Sequence, residues 1–523
     1  MKYIKILFAL LLCFQALNLN LYDANKSTVY AQENINSKEI KIDEHPELIK
    51  DLLKQTFVDN KTYQTINADL NAILANKELL NARYGIAIFS SKLNDWVFTK
   101  NHKQLLVPAS NTKLVTTFTN YELLGENYQF TTSVATNGKI ENGILNGDIY
   151  IIGGADPLLT VPDIETIADE IRRLGIKTIN GNIYGDGSLF DKITNRFAYS
   201  GDKDEVQATA PITALAIERN VVNVIVTSGS IAGKPVNVQF KPASSAFAFS
   251  NSAVVVGKNA NTKNPITITT SMREDGKQTF NVRGSLTPNR TFSFRHFINN
   301  PTLVVAGVLR DRLVAAGITV KGEIGEKSLT PNEISSVKNL FFFRRDINDA
   351  IKIANKQSDN YISEMLFKLN GAVANLNSNT ANSASAVMIQ TLENNNLNNN
   401  IANSSTVGYV FNDGSGLSRR NLISADGLVN ILLQSRHKTF SEHFKSSLSI
   451  AGIDGTLANR MRNSFAQNNL KAKTGTHRSV SSLAGFVETR SGDTLYFAYI
   501  FNGKSAGIFK NIENQISTKI SEY

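Results

Sequence analysis

The stretch Leu106-Val-Pro-Ala-Ser-Asn-Thr-Lys-Leu-Val-Thr116 decides the fold, because it places Ser110 and Lys113 at the start of an apolar helical run. Residues three apart on a helix lie on one face, so the Lys113 amine can reach the Ser110 hydroxyl. The apolar spacing predicts a helix that begins at Ser110 and ends near Gly125. A serine hydroxyl becomes a good nucleophile only when a neighbouring group takes its proton. The stretch therefore contains a candidate nucleophile with its base.

Two further strings, Ser358-Asp-Asn360 and Lys473-Thr-Gly475, follow in that order. Alone, each string is weak: Ser-x-x-Lys recurs elsewhere in the chain, Ser-Asp-Asn is also typical of turns and helix caps, and Lys-Thr-Gly is compatible with an ordinary strand end. As an ordered set they supply a nucleophile with a base, a second polar pair, and a cationic strand that can hold a carboxylate. That combination is typical of serine acyl transfer.

The chain resembles the D-alanyl-D-alanine carboxypeptidase/endopeptidase family of low-molecular-mass class C penicillin-binding proteins. The resemblance covers roughly residues 66 to 523 and is weakest in the middle of that range. Besides the flanks of the three strings, the blocks that carry it are Asn355-Lys-Gln-Ser-Asp-Asn360 followed by Glu364, Asp413-Gly-Ser-Gly-Leu-Ser-Arg419, Ala451-Gly-Ile-Asp-Gly-Thr456 with Arg460, and Ala472-Lys-Thr-Gly-Thr476 leading into Leu483-Ala-Gly-Phe486.

The resemblance implies an exported serine D-alanyl-D-alanine carboxypeptidase that acts on peptidoglycan stem peptides through an acyl-enzyme on Ser110. Endopeptidase activity is left open, as is the group that activates the deacylating water. β-Lactams are expected to acylate the same serine as covalent inhibitors. The implied catalytic residues are Ser110, Lys113, Ser358 and Asn360, and the implied substrate-binding residues are Lys473, Thr474, Gly475 and Thr476. The backbone N–H groups of Ser110 and Thr476 are expected to form an oxyanion hole.

Four residues of the block from Asp413 to Arg419 are candidates for a stem-peptide pocket: Asp413, Ser415, Ser418 and Arg419. A structural turn rich in glycine explains the same block equally well. His477 follows the third motif and is expected to be a solvated residue at the edge of the site, with a place in the lining of the site's mouth as the alternative. Because the six histidines are scattered without ligand spacing, we predict no metal, and nothing in the chain indicates a cofactor. Gly503-Lys-Ser-Ala-Gly507 is not a hydrolase nucleophile elbow, because no histidine follows it.

The predicted fold class is α/β (α+β), with a transpeptidase/β-lactamase-like domain whose central antiparallel sheet is flanked by helices. The catalytic domain is expected to be discontinuous, comprising residues 66–127 and 336–523. Residues 128–335 form the predicted inserted region, mainly β and divided into two small subdomains, with an amphipathic helix over Thr302–Gly317. Residues 32–65 are assigned to an N-terminal linker and helix.

Local patterns predict the elements around the motifs. Tyr84–Thr99 is expected to form a hairpin, as are the strands on either side of Ser491-Gly-Asp493. Ser358 is expected between two helices. The Asn- and Ser-rich stretch Asn370–Ser405 is interpreted in part as a solvated helix and loop. Ile508–Ser521 is the predicted closing helix.

Residues 1–31 resemble a secretory signal, with an early basic region, an apolar run from Ile6 to Leu17, and cleavage expected after Ala31. The run is short for a membrane span, although an uncleaved anchor is the alternative. Cys13 is the single cysteine, so the mature chain would have none and a thiol mechanism is excluded. The net charge of +10 suits loose attraction to an anionic membrane surface or cell-wall polymer. No nucleic-acid module is recognisable, and the oligomeric state is open.

Two alternatives differ from this interpretation. A serine β-lactamase shares the three strings but generally lacks a long insert between the first and the second, and fast hydrolysis of a chromogenic β-lactam would distinguish it. A cell-wall binding or scaffolding protein would keep the fold without activity. Loss of D-Ala release in Ser110→Ala with binding retained would separate catalysis from binding alone.

Overall fold

Helices and strands are interspersed along the residues that the structure, a computed structural model, describes: 63–203, 207–258, 264–376, 379–397 and 406–523. The expected signal and most of the N-terminal linker lie outside these residues. The helices are α1 (63–74), α2 (Thr112–Leu124), α3 (Val161–Arg173), α4 (Arg196–Ser200), α5 (Pro301–Ala315), α6 (Pro331–Ser336), α7 (Ile347–Lys356), α8 (Asn360–Ala374), α9 (Thr380–Leu397), α10 (Ala425–Ser435), α11 (Ser441–Ser446) and α12 (Ala506–Ser521). The residues from Ile66 to Tyr523 form one compact unit.

The strands fall into one large sheet and several small ones. They are β1 (Arg83–Ser90), β2 (Asp95–Lys100), β3 (Gln129–Thr136), β4 (Lys139–Glu141), β5 (Ile144–Asn146), β6 (Ile149–Ile152), β7 (Thr178–Ile179), β8 (Ile183–Asp186), β9 (Val221–Thr227), β10 (Asn237–Lys241), β11 (Phe247–Asn251), β12 (Val254–Val255), β13 (Thr267–Met272), β14 (Gln278–Arg283), β15 (Ser285–Leu286), β16 (Thr291–Phe297), β17 (Thr319–Val320), β18 (Ile324–Glu326), β19 (Lys338–Asp346), β20 (Ser449–Ile450), β21 (Lys471–His477), β22 (Val480–Glu488) and β23 (Thr494–Asn502).

The large sheet is antiparallel and has the strand order β2-β1-β23-β22-β21-β20. Its central strands are buried on both faces because helices cover both. Ile500 of β23 shares an apolar cluster with Leu428 of α10, whereas its neighbour Phe501 stacks on Phe509 of α12 with ring centroids 5.4 Å apart. Full burial of one such side chain stabilises the fold by about 1.5–3 kcal/mol. The predicted central antiparallel sheet flanked by helices is confirmed.

The helix α2 is enclosed by the other helices of this layer and has no solvated face over most of its length. Every residue from Thr112 to Tyr121 is buried, so the helix carries its polar side chains into the interior. Asn120 donates a hydrogen bond of 2.7 Å to Asn370 of α8, which satisfies part of this buried polarity. The helix ends at Gly125, whose φ of +78° is a conformation that favours glycine, as the sequence predicts.

The region between the first and second motifs contains the strands β3 to β19, and its mainly β character is confirmed. The strands form sheets with the orders β18-β8-β6-β3-β19, β17-β7-β5-β4, β10-β9-β16, β11-β14-β13 and β12-β15. Apolar side chains from these sheets join one cluster that extends from Val134 to Val320. Strand β19 lies beyond residue 335 yet pairs with β3. The division at 128 and 335, and into two subdomains, stays a prediction.

Several local predictions are confirmed and one is wrong. Both hairpins form, with β1 paired to β2 and β22 paired to β23. The helix α5 was expected to be amphipathic, but its residues from Pro301 to Leu309 are all buried, because α3, β8 and β18 pack against it. In the Asn- and Ser-rich stretch, α9 places Ala384, Met388 and other apolar residues in the core, so the part expected to be solvated is not this face of the helix. Residues 377–378 and 398–405 lie outside the described residues, and the solvated loop stays a prediction.

Candidate active site

Ser110 lies in a single turn of 3₁₀-helix, Ala109–Asn111, that leads directly into α2. Ala109 adopts a φ of +48°, an uncommon conformation for a residue with a side chain. The turn leaves Ser110 partly exposed while Lys113, in the first turn of α2, is fully buried. Lys113 Nζ lies 2.9 Å from Ser110 Oγ, so the first string forms the hydrogen-bonded pair that its spacing predicts.

Lys113 has two further hydrogen-bond partners. When the amine is neutral, these two partners determine the direction of its lone pair. Nζ lies 2.9 Å from the Asn360 side-chain oxygen and 2.5 Å from the Ser415 carbonyl oxygen. Both of these groups can only accept. A neutral amine has two N–H bonds and one lone pair, so in that state it donates to these two oxygens and accepts from the Ser110 hydroxyl. The geometry is therefore suited to a lysine that takes the proton of Ser110.

The charge of Lys113 is set by opposing influences. Burial lowers the pKa of Lys113 from its ordinary value of 10.5 to about 8, whereas the carboxylates of Asp413, Glu364 and Asp359 act to raise it. Burial has the largest effect because removing an ammonium from water disfavours its charged form. A lysine with this pKa is partly neutral near neutral pH, as a general base must be.

The second motif bridges two helices. Ser358 lies between α7 and α8 with a φ of +58°, and the Asp359 side chain caps α8 by accepting from Ile362 N at 2.9 Å. Asn360 is the first residue of α8 and presents its side-chain oxygen to Lys113. The predicted position of Ser358 between two helices is confirmed.

The third motif lies on β21 and reaches the second motif. Lys473 Nζ donates to Ser358 Oγ at 2.9 Å and to the Thr474 carbonyl oxygen at 2.8 Å. Burial, and then repulsion from Lys113, lower the pKa of Lys473 well below its usual range. The Thr474 hydroxyl donates to Thr456 Oγ1 at 2.7 Å. Two buried lysines thus share one site, and an anionic ligand would relieve their repulsion.

The strand β21 presents a free edge beside Ser110. Its partner β20 pairs only with Lys471 and Ala472, so within the described residues no strand covers the edge from Lys473 onward. Thr476 is exposed on this strand. A Cβ placed on Gly475 would lie 2.5 Å from Pro108 O and 3.1 Å from Ser110 N. Glycine is required there because the strand passes directly against the turn that carries Ser110.

Three of the four proposed pocket residues have buried side chains. Asp413 accepts hydrogen bonds from Ser418 N at 2.7 Å and Gly416 N at 2.9 Å, so it organises the loop that bears the Ser415 carbonyl. Asp413, Ser415 and Ser418 are fully buried, which favours the structural-turn interpretation for them. Arg419 is exposed, and its role in a pocket stays a prediction.

His477 is not a solvated edge residue, contrary to the expectation. Its side chain is buried on β21, and Nε2 lies 2.8 Å from the Gly416 carbonyl oxygen. Burial lowers the pKa of His477. The expectation was wrong because the loop from Asp413 to Ser418 folds over this end of the strand, a contact across some sixty residues of sequence.

Several residues around the site carry no local sequence signal. Arg196, Gln207 and Arg219 come from the region between the first two motifs, and they contact Asp413, Asn360 and Asp359 respectively. Only proximity in the folded chain identifies them, because each is separated from its partner by well over a hundred residues. Thr456 is different: it belongs to a block that resembles the family, although the block gave it no role.

The described residues contain no group of three or more His, Cys, Asp or Glu side chains placed to hold a metal ion. Their helices include none with the length and apolar character needed to cross a bilayer.

Comparison with known proteins places this site in a family context. Residues 66–523 match the D-Ala-D-Ala carboxypeptidase 3 (S13) family. The chain is 28% identical over 470 residues to a D-alanyl-D-alanine carboxypeptidase of Actinomadura sp. (strain R39), covering 88% of this chain and 85% of that protein. It is 26% identical over 421 residues to D-alanyl-D-alanine carboxypeptidase DacB of Haemophilus influenzae, covering 79% and 84%.

Solved structures show the same relationship at the level of the fold. The fold is similar to that of penicillin binding protein 4 (dacB) from Haemophilus influenzae, with a TM-score of 0.68, 22% identity, and coverage of 87% of this chain and 99% of that chain. That protein has also been solved in complex with a β-lactam, and that structure matches with a TM-score of 0.67, 21% identity and the same coverage.

Proposed function

Because the chain belongs to the D-Ala-D-Ala carboxypeptidase 3 (S13) family, we propose that it is an exported enzyme that releases the terminal D-alanine of peptidoglycan stem peptides through an acyl-enzyme on Ser110. The family makes the chain a serine hydrolase of the D-alanyl-D-alanine carboxypeptidase type. The observation that carries the choice of nucleophile is the 2.9 Å contact between Lys113 Nζ and Ser110 Oγ. The names of the two relatives described above, both D-alanyl-D-alanine carboxypeptidases, support the substrate.

In the proposed acylation step, the terminal carboxylate of the substrate binds beside Lys473, with the hydroxyls of Thr474 and Thr476 assisting. Neutral Lys113 takes the Ser110 proton as Oγ attacks the carbonyl carbon between the two D-alanines. The backbone N–H groups of Ser110 and Thr476 stabilise the negative oxygen that develops. The position of Gly475 against the Ser110 turn supports this arrangement, because it brings strand and nucleophile together.

The C–N bond then breaks, and the leaving D-alanine amine needs a proton. Ser358 lies within hydrogen-bond distance of Lys473, and Asn360 within that distance of Lys113. We assign Ser358 to relaying to the amine the proton that Lys113 took from Ser110, which returns Lys113 to its neutral form, and Asn360 to holding Lys113 and the substrate amide. Water hydrolyses the resulting ester and restores the Ser110 hydroxyl.

Two finer features belong to the same proposal. The acyl donor is the same when the leaving amine belongs to a second stem peptide, so cleavage of cross-links would use the same residues. β-Lactams present an amide and a carboxylate in a similar relation, and the β-lactam complex of the Haemophilus influenzae relative supports their binding to this chain.

Export rests on the sequence of residues 1–31, and the basic balance of the chain suits a loose association with anionic surfaces.

The test is incubation of the protein with pentapeptide and cross-linked muropeptides and with a labelled penicillin, followed by mass spectrometry of products and adduct. We expect free D-alanine and one label on Ser110. Ser110→Ala should lose both. Ser335→Ala is a matched control, because Ser335 also precedes a lysine by three residues but lies exposed on α6. A label on another side chain, or unchanged D-alanine release by Ser110→Ala, would refute the proposal.

A further inference from the structure

Lys113 is held by two segments of the chain, and each segment contains an aspartate that pairs with an arginine from the region between the first and second motifs. The side chain of Asn360 and the carbonyl of Ser415 are acceptors for Lys113 Nζ. Asp359 directly precedes Asn360, and Asp413 precedes Ser415 by two residues. We propose that Arg219 and Arg196 are positioning residues for catalysis, which neutralise Asp359 and Asp413 so that Lys113 can lose its proton.

The Arg219–Asp359 pair is the more accessible of the two. Arg219 NH1 lies 2.7 Å from Asp359 Oδ2, and the two side chains are 40% and 18% exposed. The other carboxylate oxygen caps α8 through Ile362 N. One aspartate is therefore held on both sides, and the residue that follows it is the one that contacts Lys113. Arg219 itself sits in a tight turn, with a φ of +56°.

The Arg196–Asp413 pair is fully buried. Arg196 NH1 lies 3.0 Å from Asp413 Oδ2 and 2.9 Å from Asp202 Oδ2. The same short helix, α4, also supplies Tyr199, whose hydroxyl donates to Glu364 at 2.7 Å. Glu364 in turn accepts from Ser415 N at 2.8 Å. The region between the motifs thus contacts each of the carboxylates that lie around Lys113.

Charge explains why these contacts matter for Lys113. Asp413, Glu364 and Asp359 each favour its protonated form, while Lys473 repels it. His477 on β21 also interacts with the charges of Asp413 and Lys113, and burial lowers the pKa of His477. The cation of Arg219 offsets Asp359, and that of Arg196 offsets Asp413. Loss of either arginine would leave the negative charge of its aspartate unbalanced. That charge would stabilise the ammonium form of Lys113, so less of the lysine would be neutral and able to act as a base.

The inference rests on the proposed function, since it assumes that Lys113 is the base for Ser110. The test is the pH dependence of the second-order rate of acylation by a chromogenic β-lactam, measured with the intact protein. Arg219→Gln should move the midpoint of the acid limb up by about half a pH unit, so that acylation below the midpoint is about threefold slower. Arg219→Lys should keep the wild-type midpoint because it keeps the charge.

Removing the aspartate in place of the arginine should shift the midpoint of the acid limb in the opposite direction. Asp359→Asn keeps a side chain that caps a helix well but removes the charge, so the midpoint should fall. The double variant Arg219→Gln/Asp359→Asn should return to the wild-type midpoint. Arg312→Gln is the control: Arg312 pairs with Glu165 at 3.0 Å on the surface, away from the site, and its loss should change nothing. A merely structural role for Arg219 would slow acylation without moving the midpoint in these opposite directions.

The outcomes separate the two proposals. An adduct on Ser110 with an unshifted midpoint in folded Arg219→Gln would overturn this inference alone. A double variant that stays as far from the wild-type midpoint as Arg219→Gln would also overturn it. If the wild-type protein forms no adduct on Ser110, the proposed function fails and this inference fails with it. Thermal unfolding of each variant verifies that the protein compared is folded.

Discussion

The ammonium nitrogen of Lys473 lies 2.9 Å from the hydroxyl oxygen of Ser358, so the lysine of the third motif is bound by the serine of the second. Lys473 is buried, and within the part of the chain that the structure describes its hydrogen bonds are to Ser358 and to a backbone carbonyl, with no carboxylate among them. The pKa of Lys473 is lowered by burial and by repulsion from the positive charge of Lys113. A carboxylate ligand would stabilise the charged form of Lys473, and the site is therefore suited to an anionic chain end.

The first prediction concerns this preference for a carboxylate. Lys473→Met should slow acylation by a penicillin about 10- to 100-fold, the usual size of one lost charged hydrogen bond. Acylation by the methyl ester of the same penicillin should change much less, because the ester has no carboxylate for Lys473 to bind. The measurement is the second-order acylation rate of both compounds on both proteins. Equal losses for acid and ester would contradict a role for Lys473 in carboxylate binding.

The second prediction follows from the pKa of Lys113, which burial lowers from 10.5 to about 8. The neutral amine is the active form, so the acylation rate should rise about tenfold per pH unit at low pH and level off above pH 8. Lys113→Arg should be inactive throughout the range, because the guanidinium stays protonated. Stopped-flow acylation across pH is the measurement. A rate that is flat across this range would exclude Lys113 as the base.

The third prediction concerns the contact between β21 and the turn that carries Ser110. Gly475→Ala would place a Cβ 2.5 Å from Pro108 O, which backbone atoms cannot easily avoid. We expect a loss of about 1–3 kcal/mol in the free energy of unfolding and acylation slowed more than tenfold. Gly229→Ala is the control, because nothing lies within 4 Å of its added Cβ. Chemical denaturation and acylation rates give the comparison, and equal behaviour of the two variants would argue against the close approach.

The fourth prediction concerns the packing that holds α2 in place. Phe118 is fully buried, and its ring centroid lies 5.8 Å from that of Phe440 and 6.2 Å from that of Phe444. Phe118→Ala should lower the free energy of unfolding by about 3–5 kcal/mol. The same substitution at Phe249, which is 53% exposed, should cost no more than about 1 kcal/mol. Denaturant titration of both variants is the measurement, and similar losses would show that α2 is not held by this aromatic cluster.

Elements with a strong local pattern could be predicted from the sequence. The hairpin of β1 and β2, the end of α2 at Gly125 and the two helices around Ser358 all follow from turn residues and helical spacing. The pairing of Lys113 with Ser110 follows too, because three residues of helix bring them together. These features depend on neighbours in the sequence, and neighbours determine turns, caps and helix faces.

Features that depend on distant packing could not be predicted in this way. The sequence predicts an amphipathic helix at α5, but α3, β8 and β18 pack against it and its residues from Pro301 to Leu309 are all buried. His477 follows an exposed threonine, yet the loop from Asp413 to Ser418 buries it. In both cases the burial comes from segments far away in the sequence.

By itself, the sequence determined the order of the three motifs, the residue types in them and the helix that joins Ser110 to Lys113. Only the tertiary structure decided that Lys473 meets Ser358, that β21 passes against Ser110, and that Arg219 reaches Asp359. The physical reason is that hydrogen-bond spacing along one helix is fixed by its geometry, whereas these contacts require distant segments to pack together. Burial, and with it the lowered pKa of both lysines, exists only after that packing.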